Sequence, residues 1–75
     1  MIIKILGSGC KKCLMLAENA RSAAAAAGKQ ADIVKVTDFA EIAAYGVMST
    51  PGLVIDEKVV STGKVLSAEE IGKLI

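Results

Sequence analysis

The chain has 75 residues, 53% of them apolar, with nine Lys and Arg against eight Asp and Glu. That length carries one domain (residues 1–75) with a thin core, and the balanced charge, single Tyr, single Phe and lack of Trp leave neither the basic surface nor the stacking platforms of nucleic-acid binding. With no His and two Cys, the chain has no imidazole base and too few ligands for the usual zinc or iron–sulfur site.

Residues 2–6, Ile-Ile-Lys-Ile-Leu, are apolar on both faces, as a central strand covered from both sides requires. Gly7-Ser8-Gly9 breaks that strand and turns into the next element. A helix follows from about Lys11 to Ala27, with Cys13, Ala17, Ala20, Ala24 and Ala27 forming one apolar stripe and Lys11, Met15, Glu18, Ser22 and Lys29 the opposite side. Gly28 stands where a left-handed residue ends a helix.

Ala31–Val36 reads as a second strand, so the first three elements form a right-handed βαβ unit with parallel strands. Asp38 caps a short helix over 39–45, with Glu41 at N3 in a capping-box-like arrangement, and Gly46 ends it. Leu53–Asp56 and Val59–Thr62 are short strands joined by a turn at Glu57-Lys58. Ser67 and Glu70 form a capping box for a last helix over 68–75, with Ile71, Leu74 and Ile75 inward. No apolar run approaches the ~18 residues of a membrane span, and no signal-peptide pattern is present. The expected setting is the cytoplasm, without membrane or nucleic-acid partners.

Chemistry concentrates in Cys10-Lys11-Lys12-Cys13, at the junction of the first strand and first helix. Cys10 is expected beside the helix's unpaired N–H groups and positive dipole end, with two Lys adding positive charge, all favouring thiolate. Cys13, one turn inside and on the apolar stripe, should be shielded. An exposed nucleophile followed by a shielded resolving thiol is what disulfide exchange needs. A structural staple is disfavoured, because so small a ring stabilises by only ~2 kcal/mol. Two thiolates could instead hold a soft ion such as Cu(I), since Gly7 to Cys13 is similar to the Gly-x-x-Cys-x-x-Cys loop of heavy-metal-associated domains. Element order separates the two readings: those domains run βαββαβ, whereas here a helix falls between strands two and three and the chain ends in a helix. If strand three runs antiparallel beside strand one, the chain's single Pro, in Ser49-Thr50-Pro51-Gly52, lies against Cys10 and Cys13.

Over essentially its whole length the chain resembles thioredoxin-fold proteins, and the small redox-active disulfide (thioredoxin-like, glutaredoxin-like) family in particular. Cys10-x-x-Cys13 matches the redox motif, Tyr45-Gly46-Val47 through Thr50-Pro51 the approach to the cis-proline, and Thr62-Gly63 with Leu66-Ser67 the last strand and terminal helix start. The resemblance implies a minimal α/β thioredoxin fold, β-α-β-α-β-β-α, with a four-stranded mixed sheet and three helices. It implies a monomeric protein disulfide oxidoreductase that binds no cofactor or metal, using a redox-active Cys10–Cys13 disulfide restored by a separate, thioredoxin-reductase-like enzyme. It also implies a cis Pro51, a Thr50 backbone that pairs with substrate, and substrate contacts from Gly9, Lys11, Lys12, Thr62 and Gly63.

The chain departs from that pattern in three places. Gly9 replaces the usual aromatic residue before the first Cys. Lys4 replaces the buried acid six residues before it, so Lys4 is expected to reach toward solvent or to favour a nearby thiolate. Thr62-Gly63-Lys64 lacks the Gly-Gly-x-Asp stretch that holds glutathione.

Overall fold

Ile2–Leu6 forms strand β1, and everything else is arranged around it. The computed structural model of the protein describes residues 1–7 and 11–75. The 16-residue helix α1 (Lys11–Ala26) crosses from β1 to β2 (Asp32–Val36), which pairs parallel to β1. Helix α2 (Phe39–Ala44) leads to β3 (Gly52–Ile55), antiparallel to β1, and a hairpin adds β4 (Lys58–Thr62) outside β3. Helix α3 (Ala68–Gly72) follows. The sheet order is β2-β1-β3-β4, the small mixed α/β architecture that the resemblance implied. A helix stands between β2 and β3, as in that fold and unlike a βαββαβ domain.

Alternation along β1 splits the core between two faces. Ile3 and Ile5, level with Ile55 and Leu53 on β3, pack against Cys13, Leu16, Ala17, Ala20 and Ala23 of α1 and Ile71 of α3. Leu6 and Val54 point the other way, onto Val36, Ile42 and Val47. The Ala residues of α1 put little bulk between helix and sheet, which allows a close approach from a thin core. Gly28, at φ +67, ends α1 with Lys29 N–H donating to Ala24 O (3.0 Å) and Gly28 N–H to Ala25 O (3.1 Å), a Schellman closure. Among the described residues no helix is long and apolar enough to cross a membrane.

Four details differ from the sequence-based expectations. The buried stripe of α1 includes Leu16 and Ala23 and leaves out Ala27, which is exposed just past the helix end at Ala26. Asp38 caps α2 by accepting from Ala40 N–H (2.8 Å), without a return bond from Glu41. Helix α3 ends at Gly72, so Leu74 falls outside its periodicity and is 47% exposed, whereas the Ser67–Glu70 capping box forms with both arms. The β3–β4 turn is at Asp56-Glu57, one residue earlier than expected, with φ +48 and +70 and Ile55 level with Lys58. A two-residue turn with both φ positive matches strand twist but favours Asn or Gly. Neighbours offset that cost: Ile2 N–H donates to Asp56 Oδ1 (3.0 Å), Asp56 N–H to Ile2 O (2.9 Å), and Glu57 is held by Lys4.

Lys4 reaches the surface as expected, but on the face away from Cys13, and its charge is paired there. It pairs laterally with Val54, on the α2 face, and its side chain is 24% exposed. Its Nζ lies 2.7 Å from Glu57 Oε1 and donates to Tyr45 Oη at 2.6 Å, while Tyr45 Oη donates to Glu57 Oε2 at 3.2 Å. This triangle ties the centre of the sheet to the end of α2 and to the hairpin turn. The bond to Glu57, then that to Tyr45, holds the Lys4 ammonium well above the ordinary lysine range, and the bond from Lys4 holds the Glu57 carboxyl below its ordinary range.

The Glu57 contribution to stability is therefore present above the ordinary carboxylate pKa and lost as pH falls through the depressed value. The Lys4 contribution is present below the ordinary lysine pKa and lost as pH rises through the raised one. Thermal unfolding followed by circular dichroism should show a slightly lower midpoint for Glu57→Gln and for Lys4→Met at neutral pH. Both variants should lose part of the acid-limb slope below the ordinary glutamate pKa of about 4.3, and parent-like slopes would show that the triangle contributes nothing.

Candidate active site

The site is assembled where β1 and β2 end and β3 begins. Cys13 is the third residue of α1, and its side chain faces β1 at 4% exposure among Ile3, Ile5 and Leu16. Helix α1 starts at Lys11, one residue after Cys10 in the chain. Lys11 and Lys12 are exposed on its first turn, where no acidic residue offsets their charge. Cys10 and Gly9 lie outside the described residues.

Gly7 follows β1 directly. It is buried, and its N–H donates to Val36 O of β2 at 2.9 Å. A Cβ on residue 7 would fall well inside 3.0 Å of Cys13 Sγ, with Cys13 Cβ at 3.5 Å and Thr50 Cβ at 3.7 Å. The end of β1, the first turn of α1 and the segment before β3 therefore converge on one point. A small cleft lined by Ile5, Gly7, Cys13, Leu14, Lys35 and Thr37 opens on the β2 side.

The Thr50–Pro51 peptide bond is cis. Pro51 is fully buried and Thr50 exposed, so the ring anchors a loop whose preceding residue faces outward. Pro51 O accepts from Gly63 N–H at 2.9 Å, and Thr62 stands level with Gly52 at the end of the β3–β4 ladder. Gly63 has φ +68, and a Cβ there would come within 3.1 Å of Ser49 Cβ, so a side chain would be both strained and crowded. Thr50, Pro51, Thr62 and Gly63 are thus contiguous, and Thr50 Cβ lies next to Gly7.

Sequence reasoning missed part of this end of the molecule. Leu14 (47% exposed), Phe39 (75%) and Met48 (94%) are large apolar side chains in solvent. They stand on the first turn of α1, just after β2 and just before β3, all at the end of the sheet that holds Cys13. Met15, on the polar side of α1, is 50% exposed as well. Leu14 lies off the apolar stripe, next to Cys13 in the chain, a recognisable clue; Met48, in a loop with no periodicity, offers none. Gly7 was read as a strand breaker, and its closeness to a sulfur 6 residues later depends on tertiary packing. Among the described residues no group of three or more Cys, His, Asp or Glu could hold a metal ion.

Comparison with known proteins agrees with this architecture. The family model described as "Thioredoxin domain" matches residues 1–75. A protein named thioredoxin from Methanocaldococcus jannaschii is 46% identical over 71 residues, covering 95% of this chain and 81% of its own length. Another thioredoxin, from Methanothermobacter thermautotrophicus, is 39% identical over 75 residues, covering 100% of this chain and 97% of its own. With both matches running nearly end to end, the chain belongs to the thioredoxin domain family and is a thiol–disulfide oxidoreductase.

Proposed function

We propose that Cys10 and Cys13 are the reacting couple and that the protein reduces protein disulfides in the cytoplasm, acting as a monomer. The observation that carries this reading is the burial of Cys13 at the start of α1, on the same side of Gly7 as the exposed Thr50. Cys10 thiolate attacks one sulfur of a substrate disulfide, forming the Cys10–substrate bond and releasing the other substrate sulfur as thiolate. Cys13, on giving up its proton, attacks Cys10 Sγ. The Cys10–Cys13 bond forms, the Cys10–substrate bond breaks, and the departing sulfur takes a proton from solvent. The substrate disulfide gains two electrons and the protein dithiol loses two. A separate thioredoxin-reductase-like enzyme restores the dithiol.

Activation of Cys10 is assigned to the start of α1 together with Lys11 and Lys12. Lys4 takes no part, since its charge is neutralised by Glu57 on the opposite face of the sheet. The Thr50 backbone is the proposed pairing edge for an extended substrate segment, flanked by Thr62 and Gly63, and Gly9 is proposed as a further substrate contact. Leu14, Met15, Phe39 and Met48 give that rim apolar area, and thioether side chains adapt to varied partners. This apolar contact compensates for the aromatic side chain that Gly9 lacks.

Cys13→Ser should stop the reaction after the first exchange, so that a protein-sized disulfide substrate accumulates as a Cys10-linked adduct on non-reducing gels. Product release from this variant at the parent rate would exclude the two-step scheme. Alkylation of Cys10 followed against pH should give a midpoint below the ~8.5 of a free thiol, and a midpoint at or above it would remove the activation argument.

A further inference from the structure

We infer that Gly7 is a positioning residue for the resolving thiol: the space left by its missing side chain is where Cys13 Sγ sits. This deepens the proposed function and rests on its assignment of Cys13 as the second nucleophile. Of the three nearest atoms to a Cβ at residue 7, only the sulfur is too close. Cys13 Cβ at 3.5 Å and Thr50 Cβ at 3.7 Å are at ordinary van der Waals separation. A methyl group there is therefore compatible with the neighbouring side-chain carbons and incompatible with the sulfur where it stands.

The backbone has little freedom to relieve the conflict. Gly7 is buried and tethered to β2 through its N–H bond to Val36 O at 2.9 Å. On the other side, Cys13 is carried by a helix whose next turn, Leu16 and Ala17, is 0% and 3% exposed. The sulfur has one soft torsion. Adding a methyl at position 7 therefore turns Cys13 χ1 to another staggered well, moving Sγ by on the order of 3 Å. Attack on Cys10 Sγ needs the incoming sulfur in line with the breaking S–S bond, and misplacement of ~1 Å can cost ~100-fold. Gly7→Ala is therefore expected to spare the first exchange and impair the second.

The test uses the full chain, reduced, against an aromatic disulfide that releases one coloured thiolate at each exchange. Gly7→Ala should keep the parent rate for the first release and slow the second at least tenfold. A parent-like second release would overturn the inference. If the parent itself gives a single release, the Cys10–Cys13 assignment has failed instead, and packing is then judged from unfolding. Gly7→Ala should destabilise the parent but not the Cys13→Ala variant, whose missing sulfur leaves room for the methyl. Equal losses in both backgrounds, or failure of Gly7→Ala/Cys13→Ala to fold, would also overturn it.

Discussion

Antiparallel pairing of β3 on β1 is the constraint from which the site follows. Leu6, at the end of β1, stands level with Gly52, at the start of β3. The residues just past each position, Gly7 on one strand and Pro51 with Thr50 on the other, must therefore meet at the same end of the sheet. Helix α1 leaves from that end, because β1 is parallel to β2 and the crossover starts at the top of β1. A shift of one residue would move Ile3 and Ile5 out of the α1 face and separate Thr50 from Gly7. The apolar core and the site thus share one register.

The small size of the domain explains the division of labour between the two faces. On the α1 and α3 face, Ala-rich packing brings the helix close enough for Cys13 to lie against the end of β1, with a glycine giving its sulfur room. On the α2 face, a six-residue helix supplies only a few apolar contacts, Ile42 among them. The Lys4–Tyr45–Glu57 triangle adds polar attachment there, joining β1, the end of α2 and the hairpin turn. Lys4, on β1 where the family resemblance implied an acid serving the thiols, performs a different task in this chain. It closes the far side of the sheet.

Much of this was legible in the residues. The apolar first strand, the Ala run ending at Gly28 and the Ser67–Glu70 box each carry local physics strong enough to fix an element. Their order identified the fold, and the chain's single Pro located the start of β3. What escaped notice depends on contacts distant in sequence. Nothing local to Lys4 marks Tyr45 and Glu57 as its partners, and nothing in Asp56-Glu57 announces two positive φ values without a glycine. The sulfur beside Gly7 is hidden in the same way, because a glycine after a strand reads first as a turn. Leu74 erred in the other direction, since periodicity was extended past the residue where the helix stops.

The central claim is that Cys10 and Cys13 form a reversible two-electron couple poised for reduction. The most direct measurement equilibrates the protein against graded ratios of reduced and oxidised dithiothreitol, quenches in acid, alkylates and counts free thiols by mass. The account predicts one transition between two free thiols and none, without dimer formation, at a potential on the order of −270 mV, in the range of strong reductants. Two thiols alkylatable at every ratio, or a transition near the roughly −120 mV of a strong oxidant, would contradict it.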